Sequence, residues 1–297
     1  MSKNPDLARA ITWRDRLYDA ATIVAGTALF TTALAGLGSV APLAGLVGAA
    51  AVFSTIQMID LTTPGIASKN GPGKELSDTF CRLAKVKTAH YVETDLRGNM
   101  GASTSNFFSS QISVDSKLVK GMGLAERAFL IGHEVGHLAY GSAGKNLFLA
   151  QQVAGGIAVI AAAGLVLSGA AAPAALGKAL LAMAGHWMVK RAYSRHVELA
   201  CDRVAVALNG SASGMNKLMA IRGETTCQTE PVNGLRQHFK TGSLLYRTFG
   251  LLADRPGEPE RIAAAKKFGN RLPPTLKDKA LKRFRTMQQQ TAQSAPS

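Results

Sequence analysis

The sequence predicts a mainly helical protein with a small β-sheet, an α+β fold into which two apolar helical hairpins are inserted. Two observations carry this prediction. The chain of 297 residues contains two long blocks without charge, and short runs rich in β-branched residues lie in the stretch between them. The chain is long enough to form a substantial core besides the two hairpins.

The first apolar block runs from Ala20 to Ile59 without one charged residue. A membrane-spanning helix needs about 20 apolar residues, so this block has room for two of them. The sequence GLGSVAP, from Gly36 to Pro42, supplies a turn between the two helices. The alternative is a pair of buried helices in a soluble protein, because alanine and glycine contribute little to insertion. The absence of a polar helical face favours the membrane interpretation.

The second apolar block is uncharged from Asn146 to Gly177. Gly169 and Pro173 divide it into a third and a fourth predicted span, Leu147–Leu167 and Ala172–Val189. The fourth span is rich in alanine and contains one lysine. The prediction is therefore four spans, or two spans and a shallow pair of helices.

The remaining segments of the chain are predicted to form one domain that the second hairpin interrupts. Between the hairpins, AHYVETD and QISVDS have the composition of strands, and Ala125–Tyr140 has apolar residues at helical spacing. After the second hairpin, helices are predicted at Tyr193–Leu208 and at Pro259–Phe268, the latter opened by proline. The predicted segments are a basic N-terminal flank at 1–19, the first hairpin at 20–60, the first part of this domain at 61–146, which contains HEVGH, the second hairpin at 147–189, the second part of this domain at 190–286, which contains ELACD, and a disordered tail at 287–297.

Charge and cysteine content indicate the surroundings of the protein. The formal net charge is +15, and the basic residues that flank the hairpins predict that both termini and the middle segment are cytoplasmic. The basic stretch Lys266–Arg285 has few aromatic residues for base stacking, so we expect anionic lipid headgroups and no nucleic acid as its partner. Three cysteines without a CxxC pair favour a reducing compartment over a disulfide framework.

Two histidines stand four residues apart in the predicted helix Ala125–Tyr140. His133 and His137 leave the same face of the helix one turn apart, which lets two imidazole nitrogens bind one zinc ion. Glu134 is rotated by about 100° from His133, so it reaches a water molecule beside the metal without binding the ion. The HExxH pattern therefore predicts a zinc site with an adjacent carboxylate.

A hydrolytic zinc site needs a third protein ligand and keeps one position open. In YSRHVELACDRVAVAL, Glu198 and Asp202 lie four residues apart on one helix face. Glu198 is predicted as the third ligand, and Asp202 as the acceptor of a hydrogen bond from a ligand histidine. The alternative is a solvated helix face that also carries Arg195 and Arg203. The nearby HExxH favours the ligand interpretation.

Residues close to these motifs, and the remaining histidines, are predicted to have structural roles. Gly132 and Gly136 are predicted to let another helix pack closely. Cys201 is predicted to be a small buried residue and no ligand. Four histidines lack partners at ligand spacing and are predicted to be polar or structural: His90, His186, His196 and His238.

The two motifs, separated by an apolar hairpin, resemble those of the HtpX family of membrane zinc metallopeptidases; the CAAX prenyl proteases share both. The resemblance covers nearly the whole chain, including NFFSSQISVDSKLV and DRPGEPERIAA. It implies a zincin-type catalytic domain with ligands His133, His137 and Glu198, the base Glu134, and Asp202 behind the ligands. It also implies a bacterial inner-membrane protease that cuts damaged or misassembled membrane proteins.

One position departs from this family. Its members usually have His-Pro where this chain has Arg255 and Pro256. We assign Arg255 to the catalytic groups, as a donor to the oxyanion that forms on the scissile carbonyl. The alternative is a surface arginine paired with Glu258 or Glu260.

The predicted reaction is zinc-assisted peptide hydrolysis in which Glu134 accepts a proton from water and passes it to the leaving amine. An extended, unfolded or membrane-protein substrate is predicted to pair with the strand formed by Gln111, Ile112, Ser113 and Val114. A prenyl-protein protease of the CAAX type is an alternative, disfavoured by the presence of only two hairpins. A membrane chaperone or scaffold with a retained zinc site is another, disfavoured because Glu134 is present.

Overall fold

The computed structural model describes residues 10–36, 41–58, 72–94, 96, 101–105, 110–141, 143–169, 173–219 and 256–293. The helices and strands with named bounds are as follows: α1 Trp13–Ala35, α2 Ala41–Met58, α3 Pro72–Ala84, β1 His90–Thr94, β2 Gly101–Ser105, β3 Ser110–Asp115, α4 Ser116–Gly121, α5 Leu124–Tyr140, α6 Ala143–Leu167, α7 Pro173–Asn209, α8 Glu258–Arg271 and α9 Pro274–Gln293. Residues 213–219 are also helical. The prediction of a mainly helical fold with a small sheet is confirmed.

The chain divides into two compact units. The first unit consists of Met1–Thr12, Asp60–Gly141 and His196–Ser297, and the second of Trp13–Ile59 and Ser142–Arg195. Helix α7 begins in the second unit and ends in the first. For this part of the chain the sequence predicts two separate helices, a membrane span at Ala172–Val189 and a helix at Tyr193–Leu208. The helix is continuous because no proline follows Pro173 within it and glycine is absent between Gly185 and Asn209.

The second unit is a bundle of α1, α2, α6 and the N-terminal half of α7. Helices α1 and α6 are long and apolar enough to cross a membrane, by length and composition, and a shorter apolar stretch covers Ala44–Thr55. The turn between α6 and α7 contains Gly169 with φ +75°, a conformation that favours glycine. The predicted turn at Gly169 and Pro173 is confirmed.

A short hydrogen-bonded network lies inside this bundle. The amide of Gln151 donates to Oγ1 of Thr27 at 2.9 Å, and its oxygen lies 3.0 Å from Nε2 of His186. The rings of Phe30 and Phe148 pack beside the imidazole. The network links α1, α6 and α7, and gives His186 the structural role that the sequence predicted.

The first unit is built around a three-stranded mixed sheet in the order β1-β3-β2. Strand β1 pairs with β3 in parallel, with Tyr91 opposite Ile112, and β2 pairs with β3 antiparallel, with Ser103 opposite Ile112. Helices α3 and α5 pack on this sheet and share its core with the end of α7 and with α8. Strand β2 is not predicted by the sequence pattern, because GASTS contains one β-branched residue and no aromatic one.

Helix α9 extends further than the sequence predicted. The segment 287–297 was expected to be disordered, but the helix continues to Gln293. Methionine and glutamine are good helix formers, and neither glycine nor proline occurs in this segment before Pro296.

Candidate metal centre

Two helices of the first unit approach closely at the centre of the site. A methyl group added at Gly136 of α5 would lie 2.8 Å from Cα of Cys201, and one added at Gly132 would lie 3.2 Å from Cα of Ala205. Both contacted residues belong to the C-terminal end of α7. Gly132 and Gly136 therefore let the backbones of α5 and α7 pack in contact, as predicted. This contact brings side chains of α7 within reach of the histidines of α5.

His133, His137 and Glu198 meet at one point. Their potential ligand atoms all lie within 4.8 Å of one another, and no other such group of three occurs in the described segments of the chain. Nε2 of His133 is 3.4 Å from Oε2 of Glu198, and Nε2 of His137 is 3.3 Å from Oε1. The two rings stand nearly perpendicular, at 87°. The sequence motifs thus meet in space as predicted.

This arrangement fits a zinc ion. Zinc binds imidazole nitrogen and carboxylate oxygen at about 2.0–2.2 Å, so two of its ligand atoms lie about 3–4 Å apart. Each Nε2 lies at such a distance from one oxygen of the Glu198 carboxylate, that of His133 from Oε2 and that of His137 from Oε1. Two imidazoles and one carboxylate also form a donor set that zinc prefers, and they leave a fourth position open.

His133 is held from behind by a carboxylate. Its Nδ1 lies 2.9 Å from Oδ1 of Asp202, so Nε2 is the nitrogen that faces Glu198. This is the contact that the ExxxD pattern predicted. A carboxylate behind a ligand imidazole fixes the orientation of the ring and makes the facing nitrogen a better donor to a metal.

Asp202 is in turn paired with a buried arginine that the sequence analysis missed. Nε of Arg261 donates to Oδ2 of Asp202 at 2.8 Å, and Nη2 donates to Oδ1 at 2.6 Å. Nη1 lies 3.7 Å from Oε2 of Glu198. Arg261 therefore contacts both acidic residues of the ExxxD motif from helix α8, and only 2% of its surface is exposed.

The electrostatics of the site favour bound positive charge. Burial alone would lower the pKa of His133, but hydrogen bonds to Asp202 and Glu198 raise it to about 9. Burial alone would raise the pKa of Asp202, but the Arg261 guanidinium lowers it. The same pairing raises the pKa of Arg261 against the effect of its burial, so the arginine stays charged.

Glu134 lies beside the ligands and next to strand β2. Its side chain is buried, and a Cβ added at Gly101 would lie only 2.7 Å from its Oε1. Any residue larger than glycine at position 101, the start of β2, would therefore collide with the carboxylate of Glu134. Glu134 does not belong to the group of three ligands, as its rotation on the helix predicted.

The predicted substrate strand must be corrected. Gln111, Ile112, Ser113 and Val114 lie in β3, which is the central strand and is hydrogen-bonded to β1 on one side and to β2 on the other. Its backbone groups are already used, so it cannot pair with a substrate. Sequence pattern alone could not distinguish a central strand from an edge strand.

Other predicted residues have different outcomes. Cys201 is buried as expected, and its sulfur lies 3.2 Å from Nδ1 of His137. Arg255 and His238 lie outside the described residues, so their predicted roles stay predictions. Neither His90 nor His196 belongs to a group of three potential ligands among the residues that the structure describes.

The family model of peptidase family M48 matches residues 76–268, which include both motifs and Arg261. The chain belongs to peptidase family M48. M48 peptidases depend on zinc, and this M48 peptidase is therefore a zinc metallopeptidase that hydrolyses peptide bonds. His133, His137 and Glu198 are the residues that would hold the ion. No curated protein and no solved structure matches the chain.

Proposed function

We propose that this M48 peptidase is an HtpX-like endopeptidase of the bacterial inner membrane, which cuts damaged or misassembled proteins on the cytoplasmic side. One observation carries the chemical side of the proposal. The group of buried His133, half-buried His137 and buried Glu198 lies with the separate carboxylate of Glu134 on two packed helices. Ligands and a proton acceptor are therefore held together before substrate arrives.

The residues of the site have separate tasks in this mechanism. The two imidazoles and Glu198 would hold zinc, which when bound would supply a Lewis acid for the scissile carbonyl and lower the pKa of water to about 7. Glu134 accepts the proton of the attacking water on its carboxylate and delivers it to the leaving amine nitrogen. Asp202 and Arg261 keep His133 in one orientation throughout.

We propose the outer edge of β2 as the place where substrate backbone binds. Among the described strands, β2 pairs only with β3, and its first residue Gly101 touches Glu134. An extended peptide added along this edge would pass beside the proposed base. Because backbone hydrogen bonds supply the affinity, many sequences would be accepted, provided that they are unfolded.

Exposed apolar surface supports a membrane location. Only 28% of the apolar stretch of α1 and 22% of that of α6 is buried, whereas a core helix of a soluble protein would be mostly buried. Large exposed apolar side chains of the described residues all lie in the second unit, among them Ile160 at 74% and Leu167 at 88%. Such a concentration is typical of a surface that faces lipid.

The basic end of the chain supports anionic lipid as a further partner. Lys279, Lys282 and Arg283 of α9 line one cavity together with Thr79 and Leu83. Clustered lysine and arginine attract anionic headgroups by about 1 kcal/mol for each charge near the surface. We expect binding to vesicles to weaken when the anionic lipid is omitted or salt is raised.

The proposed peptidase activity is tested by cleavage of one reporter in two states. The probe is a fluorescently labelled globular protein, either native or unfolded by reduction and alkylation. In detergent micelles we expect cleavage of the unfolded form only, abolished by a zinc chelator and lowered by about 10²–10⁴ in Glu134→Gln.

The matched control is Glu126→Gln, the same change in the first turn of the same helix. It should cleave like the wild type. Equal cleavage by the wild type and Glu134→Gln would refute the mechanism. Equal cleavage of the native and unfolded forms would refute the quality-control role while leaving the mechanism intact.

The proposed membrane location is tested separately by alkaline carbonate washing of cell membranes. We expect the chain to stay in the membrane pellet, because burial of the apolar faces of α1 and α6 in lipid does not depend on charge. A reporter fused after Ser297 should be cytoplasmic. Release of the chain into the soluble fraction, or a periplasmic signal, would overturn the proposed location.

A further inference from the structure

The two ligand histidines have different partners behind their rings. Nδ1 of His133 contacts a carboxylate, that of Asp202, whereas Nδ1 of His137 lies 3.2 Å from the sulfur of Cys201. We propose that Cys201 is the positioning residue of His137: its sulfur accepts the Nδ1–H hydrogen bond and thereby strengthens zinc binding. The proposal rests on the zinc site and is independent of which substrates are cut.

The direction of this hydrogen bond follows from the ligand geometry. Nε2 of His137 faces Glu198 at 3.3 Å, so Nε2 is the atom available to the metal. A neutral imidazole that uses Nε2 as a donor to zinc carries its proton on Nδ1. Nδ1 is then the donor, and the sulfur of Cys201 is the acceptor. Because the sulfur lies on the Nδ1 side of the ring, it does not belong to the ligand group of Glu198 and the two Nε2 atoms.

Close packing explains why the side chain at this position is short. Cys201 is fully buried, and Gly136 lies so near that an added Cβ would meet Cα and the carbonyl oxygen of Cys201 at 2.8 and 3.1 Å. His137 is the next residue after this contact. The short cysteine side chain spans the remaining gap to the ring, with its sulfur 3.2 Å from Nδ1 of His137.

The two ligand histidines therefore have hydrogen-bond acceptors of unequal strength behind their rings. A neutral sulfur is a weak acceptor, while the carboxylate of Asp202 is charged and is itself fixed by Arg261. We therefore expect the loss of Cys201 to cost less zinc affinity than the loss of Asp202. Partners behind ligand histidines typically contribute about 10–100-fold in metal affinity, and Cys201 should lie near the lower value.

The experiment measures the zinc dissociation constant by competition with a chromophoric chelator. Cys201→Ala should bind zinc about 10-fold more weakly than the wild type. Cys201→Ser should recover a fraction of the loss, because its hydroxyl is an acceptor but sits closer to the backbone. The control is Cys81→Ala, which removes another buried sulfur of the same unit, one that lies beside the backbone of Ala89 and the side chain of Ser77. It should bind zinc like the wild type.

Three outcomes would overturn the proposal. In the first, Cys201→Ala keeps wild-type zinc affinity, or loses no more than Cys81→Ala. In the second, Cys201→Ser binds zinc no better than Cys201→Ala although both variants fold. In the third, the cobalt-loaded wild type shows thiolate-to-cobalt charge-transfer absorption that Cys201→Ser lacks, which would make the cysteine a ligand. None of these outcomes depends on peptide cleavage, so failure of the proposed function is measured separately.

Discussion

Replacing Arg261 by methionine should be among the most damaging single changes in the first unit. The guanidinium makes two hydrogen bonds to Asp202, at 2.6 and 2.8 Å, and both side chains are buried. Methionine has a similar length but no charge. The variant would leave the carboxylate of Asp202 in the protein interior without its principal counterion.

The magnitude follows from the burial of the pair. Removing one partner of a buried ion pair costs about 3–5 kcal/mol, because the other charge stays desolvated. For a protein of this size class, each kcal/mol lowers the melting temperature by about 2–4 °C, so a loss of about 6–20 °C is expected. The double variant Asp202→Asn/Arg261→Met removes both charges. It should be less destabilised than the sum of the two single variants.

Thermal unfolding of the zinc-free protein, followed by circular dichroism in detergent, measures these effects. Arg261→Lys keeps the charge but loses the two-pronged contact, so its loss of stability should lie between those of the wild type and Arg261→Met. The control is Arg271→Met, an exposed position in the last turn of the same helix. Equal unfolding temperatures for Arg261→Met and Arg271→Met, or additive effects of the two single variants in the double variant, would refute the buried ion pair as the source of this stability.

Three further predictions concern the neighbours of the ligands. Glu198→Ala should lose zinc whereas Glu134→Gln keeps it, and equal zinc content by mass spectrometry would contradict the assignment of roles. Gly101→Ala would place Cβ 2.7 Å from Oε1 of Glu134, the proposed base, so kcat should fall at unchanged zinc content; the control Gly121→Ala, where nothing lies within 4 Å, should leave kcat unchanged. Burial raises the pKa of Cys81, so its alkylation at pH about 8 should be slow in the folded protein and fast after unfolding. Equal rates by peptide mapping would show that the thiol is accessible.

The ligand set could be predicted from sequence because helical geometry is local. His133 and His137 share a face by their spacing alone, and so do Glu198 and Asp202. Predicting that the two motifs lie close together in the fold requires one additional assumption, that a zinc site needs three protein ligands. The fold confirms that assumption in the group His133, His137 and Glu198.

The residues that the sequence analysis missed depend on contacts between distant segments. Arg261 reaches Asp202 from a helix 59 residues later, and no spacing rule connects the two. The sequence shows only that Arg261 precedes Ala265 by one helical turn, and the structure shows that both are buried on the inner face of α8. A buried arginine needs a buried acid, and Asp202 was the acid already assigned to the interior.

Charge balance connects Asp202, Arg261 and the metal in one last prediction. With zinc bound, Arg261 and the divalent ion carry three positive charges, and the carboxylates of Glu134, Glu198 and Asp202 carry three negative ones. A buried site is stabilised by such a balance, since an uncompensated charge stays desolvated. Asp202→Asn upsets the balance and also weakens the acceptor behind His133, so zinc should bind about 10–100-fold more weakly. Adding Arg261→Met restores neutrality, and the double variant should therefore bind zinc more tightly than Asp202→Asn alone. Chelator competition on both variants measures this difference, and equal or weaker binding by the double variant would show that Arg261 acts through packing and not through its charge.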